Sequence, residues 1–490
     1  MKLRAVILLA GLGAVTSSAA AFAVPIGDPS RAITAPPSPD DRIVAEEVTW
    51  HMTTGKTLLM DARVGHSSVA RGKTAESYVF ASVTAIDAPA KAAAPIDLAI
   101  VVDRSGSMKG ARIANAIAGA LGAVDRMRDG DRVVVVAFDT ESQVVVPLTS
   151  ISSATRPTIE GAIRGIRLGG DTCISCGLQE ARRQLDSAAS GASRITRMLL
   201  LSDGATNHGV VDMNGLKSLA TRMRDKGAIS TIGVDVDFDE KVMGALAIES
   251  NGNHYFVAEP SALPSVFNRE FDTLVATIAR DADVVVEPAP GVEIEDVFDR
   301  PSRRIGNRVV IPLGSFSSKD EKSALLKVRI DPDRDSNQPV VELKLVYRDL
   351  IEDSDVQFTA PLAIAVKTDG TEQKELDPFV RARVERSTTA RALADANDLM
   401  SQGRFAEAQA KLAGRTAALQ NAQAAAERST VAAPAPVLAR GFKKDFEDQG
   451  NSLRRAEHAA NSAASAAPSS RPKKAAPKEI QEDLLSKEFR

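Results

Sequence analysis

The chain has 490 residues, of which 44% are hydrophobic and 26% are charged, so most of it is expected to fold, into roughly two to four domains. Its formal net charge of -3 excludes a general electrostatic attraction to nucleic acid. Aromatic residues make up only 4%, and the composition is unlike that of a membrane-spanning or collagen-like protein.

The N-terminal residues have the pattern of a secretory signal peptide, with two basic residues before an apolar run and small residues at Ala21-Phe22-Ala23. The predicted signal covers residues 1–23. Its apolar run is shorter than the roughly 20 residues that span a bilayer, which disfavours the alternative of a retained anchor. Residues 24–41, rich in Pro, Ala and Ser, are predicted to form a linker. We therefore expect an exported protein of the periplasm or the extracellular space, without a membrane span after signal cleavage.

Alternating apolar residues predict strands over 57–64 and 76–85, within a β-rich segment of residues 42–93. From residue 96 onwards, apolar runs of strand length alternate with amphipathic helices, which is typical of an α/β fold with a mostly parallel sheet. This predicted unit covers residues 95–280 and closes with a helix over 262–278. Its other predicted elements are strands at 96–102, 132–138, 198–201, 229–234 and 255–257, an edge strand at 144–148, and helices at 112–127, 178–188 and 216–226.

Strands return after residue 280 without intervening helices, which predicts antiparallel sheet over 281–368. Because strand-like segments flank the α/β unit on both sides, we infer that this unit is inserted into one β-sandwich made from 42–93 and 281–368. Two separate β units are the alternative, but each would bury too little apolar surface for a stable core. The predicted strands are 284–287, 308–313, 323–330, 340–347 and 357–366.

Asp377-Pro378 is a typical helix start, with a capping carboxylate followed by proline at the first helical position. Helical periodicity extends over 375–428 and is interrupted at Gly403, which predicts a helical hairpin. The sequence that follows is rich in Ala, Pro, Ser, Lys and Arg, so residues 429–490 are predicted to form a disordered tail. A functional basic arm is the alternative for this tail.

Three predicted loops carry oxygen-bearing side chains at one edge of the α/β unit. Open α/β sheets bind ligands at the carboxyl ends of their parallel strands, so we expect these loops to meet. The side chains offer only oxygen ligands, which suits Mg²⁺, Mn²⁺ or Ca²⁺ better than Zn²⁺. For the first loop alone, a turn and helix cap is the alternative. The candidate ligands are Asp103, Ser105 and Ser107 after the first strand, Thr172 after two glycines, and Asp203 after the strand at 198–201.

This order of Asp-x-Ser-x-Ser, Gly-Gly-Asp-Thr and Asp-Gly resembles the metal-ion-dependent adhesion site of von Willebrand factor A domains. The resemblance covers residues 95–280, matches every ligand position, and implies a Rossmann-like fold. It implies that the Ser105 and Ser107 hydroxyls bind the cation directly and that Thr172 does so directly or through water. Asp103 and Asp203 would act mainly through water. Bacterial exported proteins and inter-alpha-trypsin inhibitor heavy chains similarly combine this domain with β-rich segments, and integrin β subunits insert it into a sandwich.

A cation held by neutral hydroxyls and water stays strongly electrophilic, so the resemblance implies that an Asp or Glu of a partner protein completes the coordination. The predicted function is a metal-dependent, adhesion-type protein-binding module of the cell envelope, without enzymatic activity. A scaffold or assembly subunit of an envelope complex, with the helical hairpin as its stable contact, is the alternative. A hydrolase would need a nucleophile paired with a base, which the sequence does not display.

Cys173 and Cys176 follow Thr172 directly and are the only cysteines in the sequence. In an exported protein a local disulfide is favoured, and it would stiffen the loop that carries Thr172. The alternatives are a redox-active pair, which the structural context disfavours, and a zinc site, which would need two further ligands. An acidic cluster at 235–240 predicts a helix cap at Asp239 rather than a second cation site.

Overall fold

The computed structural model describes residues 57–88, 94–187, 194–224, 226–235, 238–332, 337–367, 375–430, 436–465 and 480. The predicted signal peptide, the predicted linker and residues 42–56 of the predicted sandwich segment lie outside the described residues. Among the helices that the structure describes, none is both long enough and apolar enough to cross a bilayer.

The elements follow one another in three groups. The first group contains the strands β1 (Leu58–Val64), β2 (Ser68–Ala70) and β3 (Ala75–Ala85). The second contains β4 (Ile96–Asp103), α1 (Ala111–Arg126), β5 (Arg132–Phe138), β6 (Ser142–Ser150), α2 (Arg156–Arg164), α3 (Ile174–Asp186), β7 (Ile195–Ser202), α4 (Met213–Arg224), β8 (Ala228–Val234), α5 (Glu240–Ser250), β9 (His254–Val257) and α6 (Leu263–Val275). The third contains β10 (Thr277–Pro288), β11 (Val292–Phe298), β12 (Arg303–Ile305), β13 (Arg308–Ser317), β14 (Glu321–Ile330), β15 (Asn337–Asp349), β16 (Ser354–Lys367), α7 (Pro378–Ser401), α8 (Phe405–Thr430) and α9 (Pro436–Ala464).

The second group forms an α/β unit around a six-stranded sheet with the order β6-β5-β4-β7-β8-β9. Five strands are parallel, and β6 pairs antiparallel with β5 at the edge, which confirms the fold class and the predicted edge strand. Helices α1, α2 and α6 pack on one face of this sheet, and α3, α4 and α5 pack on the other. All eight residues of β4 are buried as a result, and the carboxyl ends of the central strands meet at one edge of the unit.

The strands before and after the α/β unit share two sheets, with the orders β1-β3-β14-β11 and β12-β13-β10-β15-β16-β2. β3 pairs antiparallel with β14, and β2 pairs parallel with β16, so each sheet contains strands from both sides of the insertion. Buried apolar residues of both sheets form one core, in which Leu58 and Val79 lie with Val284 and Leu326. The observed sheets therefore follow the inserted arrangement that the sequence pattern favoured.

The helix that closes the α/β unit is shorter than predicted. It ends at Val275, and after Ala276 the strand β10 begins at Thr277. Ile278, which the sequence analysis assigned to the helix, is fully buried in the core of the sandwich. Its spacing from Leu274 equals one helical turn, so the apolar pattern fits a helix and a strand equally well at this point.

The prediction of a disordered tail over 429–490 is wrong for residues 436–464, which form α9. Together with α7 and α8 this helix makes a three-helix assembly with one apolar core, so the predicted hairpin is part of a larger unit. Residues Leu453, Ala456, Ala460 and Ala463 of α9 are buried at helical spacing. Most of them are alanines, which form a narrow apolar face along the helix and let neighbouring helices approach closely. The overall Ala-rich composition does not reveal this spacing.

A polar network also ties the three helices together. The Arg415 Nε of α8 donates to the Thr389 hydroxyl of α7 over 3.0 Å, and this hydroxyl donates to Gln449 Oε1 of α9, also over 3.0 Å.

The predicted start of α7 is confirmed, because the Asp377 carboxylate accepts hydrogen bonds from the backbone N–H groups of Phe379 and Val380.

Candidate metal centre

Strand β4 ends at Asp103, whose side chain is fully buried. Asp103 Oδ1 accepts a hydrogen bond from the Ser105 backbone N–H over 2.8 Å, and Oδ2 accepts one from the Ser202 hydroxyl over 2.5 Å. Ser202 is the last residue of the neighbouring strand β7, so this contact joins the ends of the two strands. Both oxygens of this buried carboxylate therefore have neutral donors.

The loop after Asp103 brings two hydroxyls together. Ser105 Oγ and Ser107 Oγ are 3.0 Å apart, and Ser107 Oγ donates to Asp203 Oδ1 over 2.7 Å. Ser105 is buried whereas Ser107 is exposed. The hydroxyl pair therefore lies at the boundary between the buried carboxylates and the surface of the α/β unit.

Thr172 reaches the same place from a third loop. A Cβ placed on Gly204 would lie 3.5 Å from Thr172 Oγ1 and 3.7 Å from Ser107 Oγ, so both hydroxyls border this glycine. Asn207 holds Thr172 from the other side, because its Oδ1 accepts from the Thr172 N–H over 2.9 Å and its own N–H donates to the Thr172 carbonyl over 3.0 Å. The structure thus brings all three predicted loops together.

The two glycines before Thr172 are needed for the close packing of their loop. The Gly169 N–H donates to the Arg104 carbonyl over 2.8 Å, and the Gly170 carbonyl accepts from the Gly106 N–H over 3.0 Å. A Cβ on Gly169 would lie only 1.6 Å from Asp139 Oδ2, so a larger residue at this position would force the Asp139 side chain or the loop to move. Glycine at this position therefore allows the Thr172 loop to lie against the Asp103 loop.

Burial dominates the electrostatics of the site. It raises the pKa of Asp103 to about 6, although hydrogen bonds from Ser202 and Ser105 oppose the shift. Burial also raises the pKa of Asp203, against the opposing effects of Ser107 and Arg112. Among the described residues, no Lys, Arg or His side chain forms an ion pair with Asp103. A bound cation would supply the positive charge that this carboxylate lacks.

The donor set fits a hard divalent cation. It consists of two carboxylates and three hydroxyls, and oxygen ligands of this kind suit Mg²⁺, Mn²⁺ or Ca²⁺. No group of three or more His, Cys, Asp or Glu side chains in the part of the chain that the structure describes is placed to hold a metal. The hydroxyls of Ser105, Ser107 and Thr172 are therefore required to complete a coordination shell here.

Cys173 and Cys176 form a disulfide with an Sγ–Sγ distance of 1.98 Å, next to Thr172 and at the start of α3. The loop that begins at Asp203 lies directly against it. Gly209 has a φ of +72°, and a Cβ there would come within 2.5 Å of Cys173 Sγ. The disulfide thus contacts both the loop that carries Thr172 and the loop that begins at Asp203, two loops with candidate ligands.

Sequence reasoning missed three side chains that organise the site, namely Ser202, Asn207 and Arg112. Arg112 lies in the first turn of α1, where an arginine is ordinarily solvated, so neither its residue type nor its position in the sequence indicates a role at the site.

In the acidic cluster at 235–240, Asp239 caps α5 as predicted, by accepting from the N–H groups of Lys241 and Val242. Asp235 instead pairs with Arg112.

Residues 97–269, which contain all of these side chains, match the family model of the von Willebrand factor type A domain. The α/β unit of this chain is therefore a von Willebrand factor type A domain, a fold commonly used as a metal-dependent protein-interaction module.

Two curated relatives, both called uncharacterized proteins, are similar to the chain. One is sll0103 from Synechocystis sp. (strain ATCC 27184 / PCC 6803 / Kazusa), 24% identical over 305 residues that cover 60% of this chain and 70% of that protein. The other is YfbK from Escherichia coli (strain K12), 30% identical over 199 residues that cover 40% of this chain and 34% of that protein. The solved structure of a von Willebrand factor type A protein from Catenulispora acidiphila shares the fold, with a TM-score of 0.63, 18% identity, and coverage of 83% of this chain and 91% of that chain.

Proposed function

We propose that this chain is a metal-ion-dependent, adhesion-type protein-binding module of the cell envelope. A divalent cation is held by Asp103, Ser105, Ser107, Thr172 and Asp203, and it accepts a carboxylate from a partner protein. The observation that carries this proposal is the convergence of three hydroxyls on two buried carboxylates, of which Asp103 has no basic partner among the described residues.

The hydrogen bonds divide the roles within the site. Both oxygens of Asp103 and both oxygens of Asp203 already accept hydrogen bonds from the protein, which supports the proposal that these carboxylates act on the cation mainly through water. The Ser105 and Ser107 hydroxyls bind it directly, and Thr172 does so directly or through water. When bound, the cation supplies a Lewis acid with few charged ligands, which favours an added carboxylate.

The location in the envelope rests on the predicted signal peptide over residues 1–23. Export to the periplasm or the extracellular space also suits the disulfide, which oxidising compartments preserve. The site binds rather than catalyses in this proposal, because the side chains described around it leave a coordination position for a partner and include no nucleophile paired with a base.

The packing of the helical region weakens the alternative role as a scaffold subunit that uses the hairpin as its contact. Helix α9 packs on both α7 and α8, and residues such as Phe446 fill the space between them. The inner face of the predicted hairpin is therefore already covered by this chain, and a stable partner would have to use its outer face.

Calorimetric titration of Mg²⁺ and Mn²⁺ into the purified chain tests the cation site. We expect one bound ion per chain, with binding abolished in Asp103→Ala and strongly weakened in Ser107→Ala. Ser265→Ala is the matched control, because its exposed hydroxyl on α6 donates to the Ala262 carbonyl before that helix and to no candidate ligand among the described residues. Unchanged binding in Asp103→Ala would overturn the assignment.

Capture from envelope extract, in Mg²⁺ and in EDTA, tests the role of the cation in partner binding. We expect partners to be lost in EDTA and also lost in Mg²⁺ by the Ser107→Ala chain. A partner that the wild-type chain retains in EDTA would instead support the scaffold alternative.

A further inference from the structure

Arg112 lies beside the candidate ligands without being one of them. Its guanidinium donates to three acceptors: the Ser107 carbonyl over 2.8 Å, Asp203 Oδ2 over 2.7 Å, and Asp235 Oδ2 over 2.6 Å. These acceptors belong to the loops that follow β4, β7 and β8. One planar group therefore fixes three loops with three hydrogen bonds, which a lysine ammonium could not do in the same geometry.

As a consequence, the two carboxylate oxygens of Asp203 have different hydrogen-bond partners. Oδ2 is taken by the guanidinium of Arg112, whereas Oδ1 accepts from the Ser107 hydroxyl and faces the candidate ligands. A cation bound by both oxygens would lie close to the guanidinium that already holds Oδ2, so bidentate coordination by Asp203 competes with the ion pair to Arg112. The side chain of Asp203 is fully buried, so water cannot easily replace that partner.

Asp103 has the same limitation for another reason. Its two oxygens accept from the Ser105 N–H and from the Ser202 hydroxyl, so each oxygen of both carboxylates already has a donor within the protein. Of the two carboxylates, only Asp203 is held by a charged side chain. That side chain, Arg112, can be replaced without altering a candidate ligand.

Mg²⁺ and Ca²⁺ respond differently to this restriction. Ca²⁺ takes six to eight oxygen ligands and commonly uses a bidentate carboxylate, whereas Mg²⁺ keeps a compact octahedral shell with several waters and needs few carboxylate oxygens. Mn²⁺ also accepts carboxylate, hydroxyl and water ligands. A site whose carboxylates offer one oxygen or a water bridge therefore suits Mg²⁺ better than Ca²⁺.

We propose that Arg112 sets the cation preference of this site, favouring Mg²⁺ over Ca²⁺ by holding Asp203 Oδ2 and so excluding bidentate coordination. Arg112 is a positioning residue, since it acts through Asp203 rather than by touching the cation. This inference rests on the proposed function, because it assumes that the site binds a divalent cation.

The test is the ratio of the Ca²⁺ and Mg²⁺ dissociation constants, measured by calorimetry on the full chain. Arg112→Met keeps the length of the side chain but removes the donors and the charge. We expect this variant to lower the ratio about tenfold, which corresponds to about 1.4 kcal/mol, because Asp203 can then bind Ca²⁺ with both oxygens. Arg126→Met is the matched control, since Arg126 lies on the same helix and pairs with Asp272 instead of a candidate ligand. Its ratio should equal that of the wild-type chain.

The ratio separates a role in selectivity from a purely structural role. If Arg112 only stabilised the loops, its loss would weaken both cations alike and leave the ratio unchanged, which would overturn the inference while the proposed function stands. If the wild-type chain bound neither cation, the proposed function itself would fail. Should Arg112→Met not fold, as judged by circular dichroism, Arg112→Gln is measured in the same way and judged by the same ratio.

Discussion

The two ends of strand β4 carry two buried aspartates with opposite surroundings. Asp97, near the start of the strand, is held by Arg132, whose Nε lies 2.7 Å from Oδ1, and by Arg194, whose Nε lies 2.7 Å from the same oxygen. Asp103, at the end of the strand, accepts hydrogen bonds from the Ser105 N–H and from the Ser202 hydroxyl, and it forms no ion pair within the described residues. The same residue type, at two positions six residues apart on one strand, is thus paired with basic side chains of the described residues at one end only.

This difference distinguishes a carboxylate that is paired within the fold from the one that we propose to be functional. Burying a charge is costly unless a partner of opposite charge accompanies it. At Asp97 the chain supplies two guanidinium groups, so the interaction is complete within the fold. At Asp103 the described residues supply no such group, and we propose that a divalent cation bound by the neighbouring hydroxyls provides the positive charge.

Removal of the paired carboxylate, Asp97, should have the largest effect on stability and would sharpen this comparison. Asp97→Ala leaves Arg132 and Arg194 without their shared partner, and we expect the free energy of unfolding to fall by about 3 kcal/mol. Urea denaturation monitored by circular dichroism measures this change, with Mg²⁺ present and absent. A loss that appeared only in Mg²⁺ would mean that Asp97 belongs to the metal centre, against the comparison.

The functional carboxylate should behave in the opposite way. At a Mg²⁺ concentration 100 times the dissociation constant, binding to the folded state should add about 2.7 kcal/mol to the free energy of unfolding. Asp103→Asn should abolish this gain, yet without metal it should not destabilise the chain, because the amide removes a buried charge that has no cationic partner. Denaturation curves with Mg²⁺ and with EDTA measure both quantities. A marked loss of stability in EDTA would show that Asp103, like Asp97, is chiefly structural.

Protons should compete with the cation at Asp103. Its pKa is raised by burial to about 6 in the metal-free site, so the carboxylate is charged above that pH and neutral below it. The Mg²⁺ affinity should therefore be highest above pH 6 and decrease by up to about tenfold for each pH unit below it. Calorimetric titrations across this range measure the change. A constant affinity from about pH 5 to about pH 7 would contradict the assignment of Asp103 to the site.

The smallest expected effect concerns the disulfide beneath the ligand loops. Reduction of the bond between Cys173 and Cys176 separates the two sulfurs beside Gly209 and loosens Thr172, and we expect the Mg²⁺ dissociation constant to rise about threefold, or ~0.6 kcal/mol. Titration with and without a phosphine reductant measures this change. The double variant Cys173→Ser, Cys176→Ser is the control and should not respond to the reductant. An unchanged dissociation constant in the wild-type chain would remove the link between the disulfide and the site.

Sequence reasoning worked best where burial is complete. Parallel strands such as β4 and β5 are covered on both faces, so their residues form apolar runs that stand out from any helix. It worked least well where burial is partial or uneven. Strand β11 has only one buried residue, and α5 is apolar on more than one side, so neither has a clear periodicity. The alanine stripe of α9 was missed for a related reason, since composition does not reveal spacing.

By itself, the sequence determined the class of the fold and the five candidate ligands, because the loops at the ends of buried strands carry their chemistry in residue types and order. Only the tertiary structure decided which charges meet. Arg112 reaches Asp203 and Asp235 across 91 and 123 positions of the chain, and Asp97 meets Arg194 across 97. Ion pairs of such separation depend on how the sheet and helices pack, and no local pattern records them. The contrast between the two ends of β4 is therefore a property of the folded domain rather than of the strand.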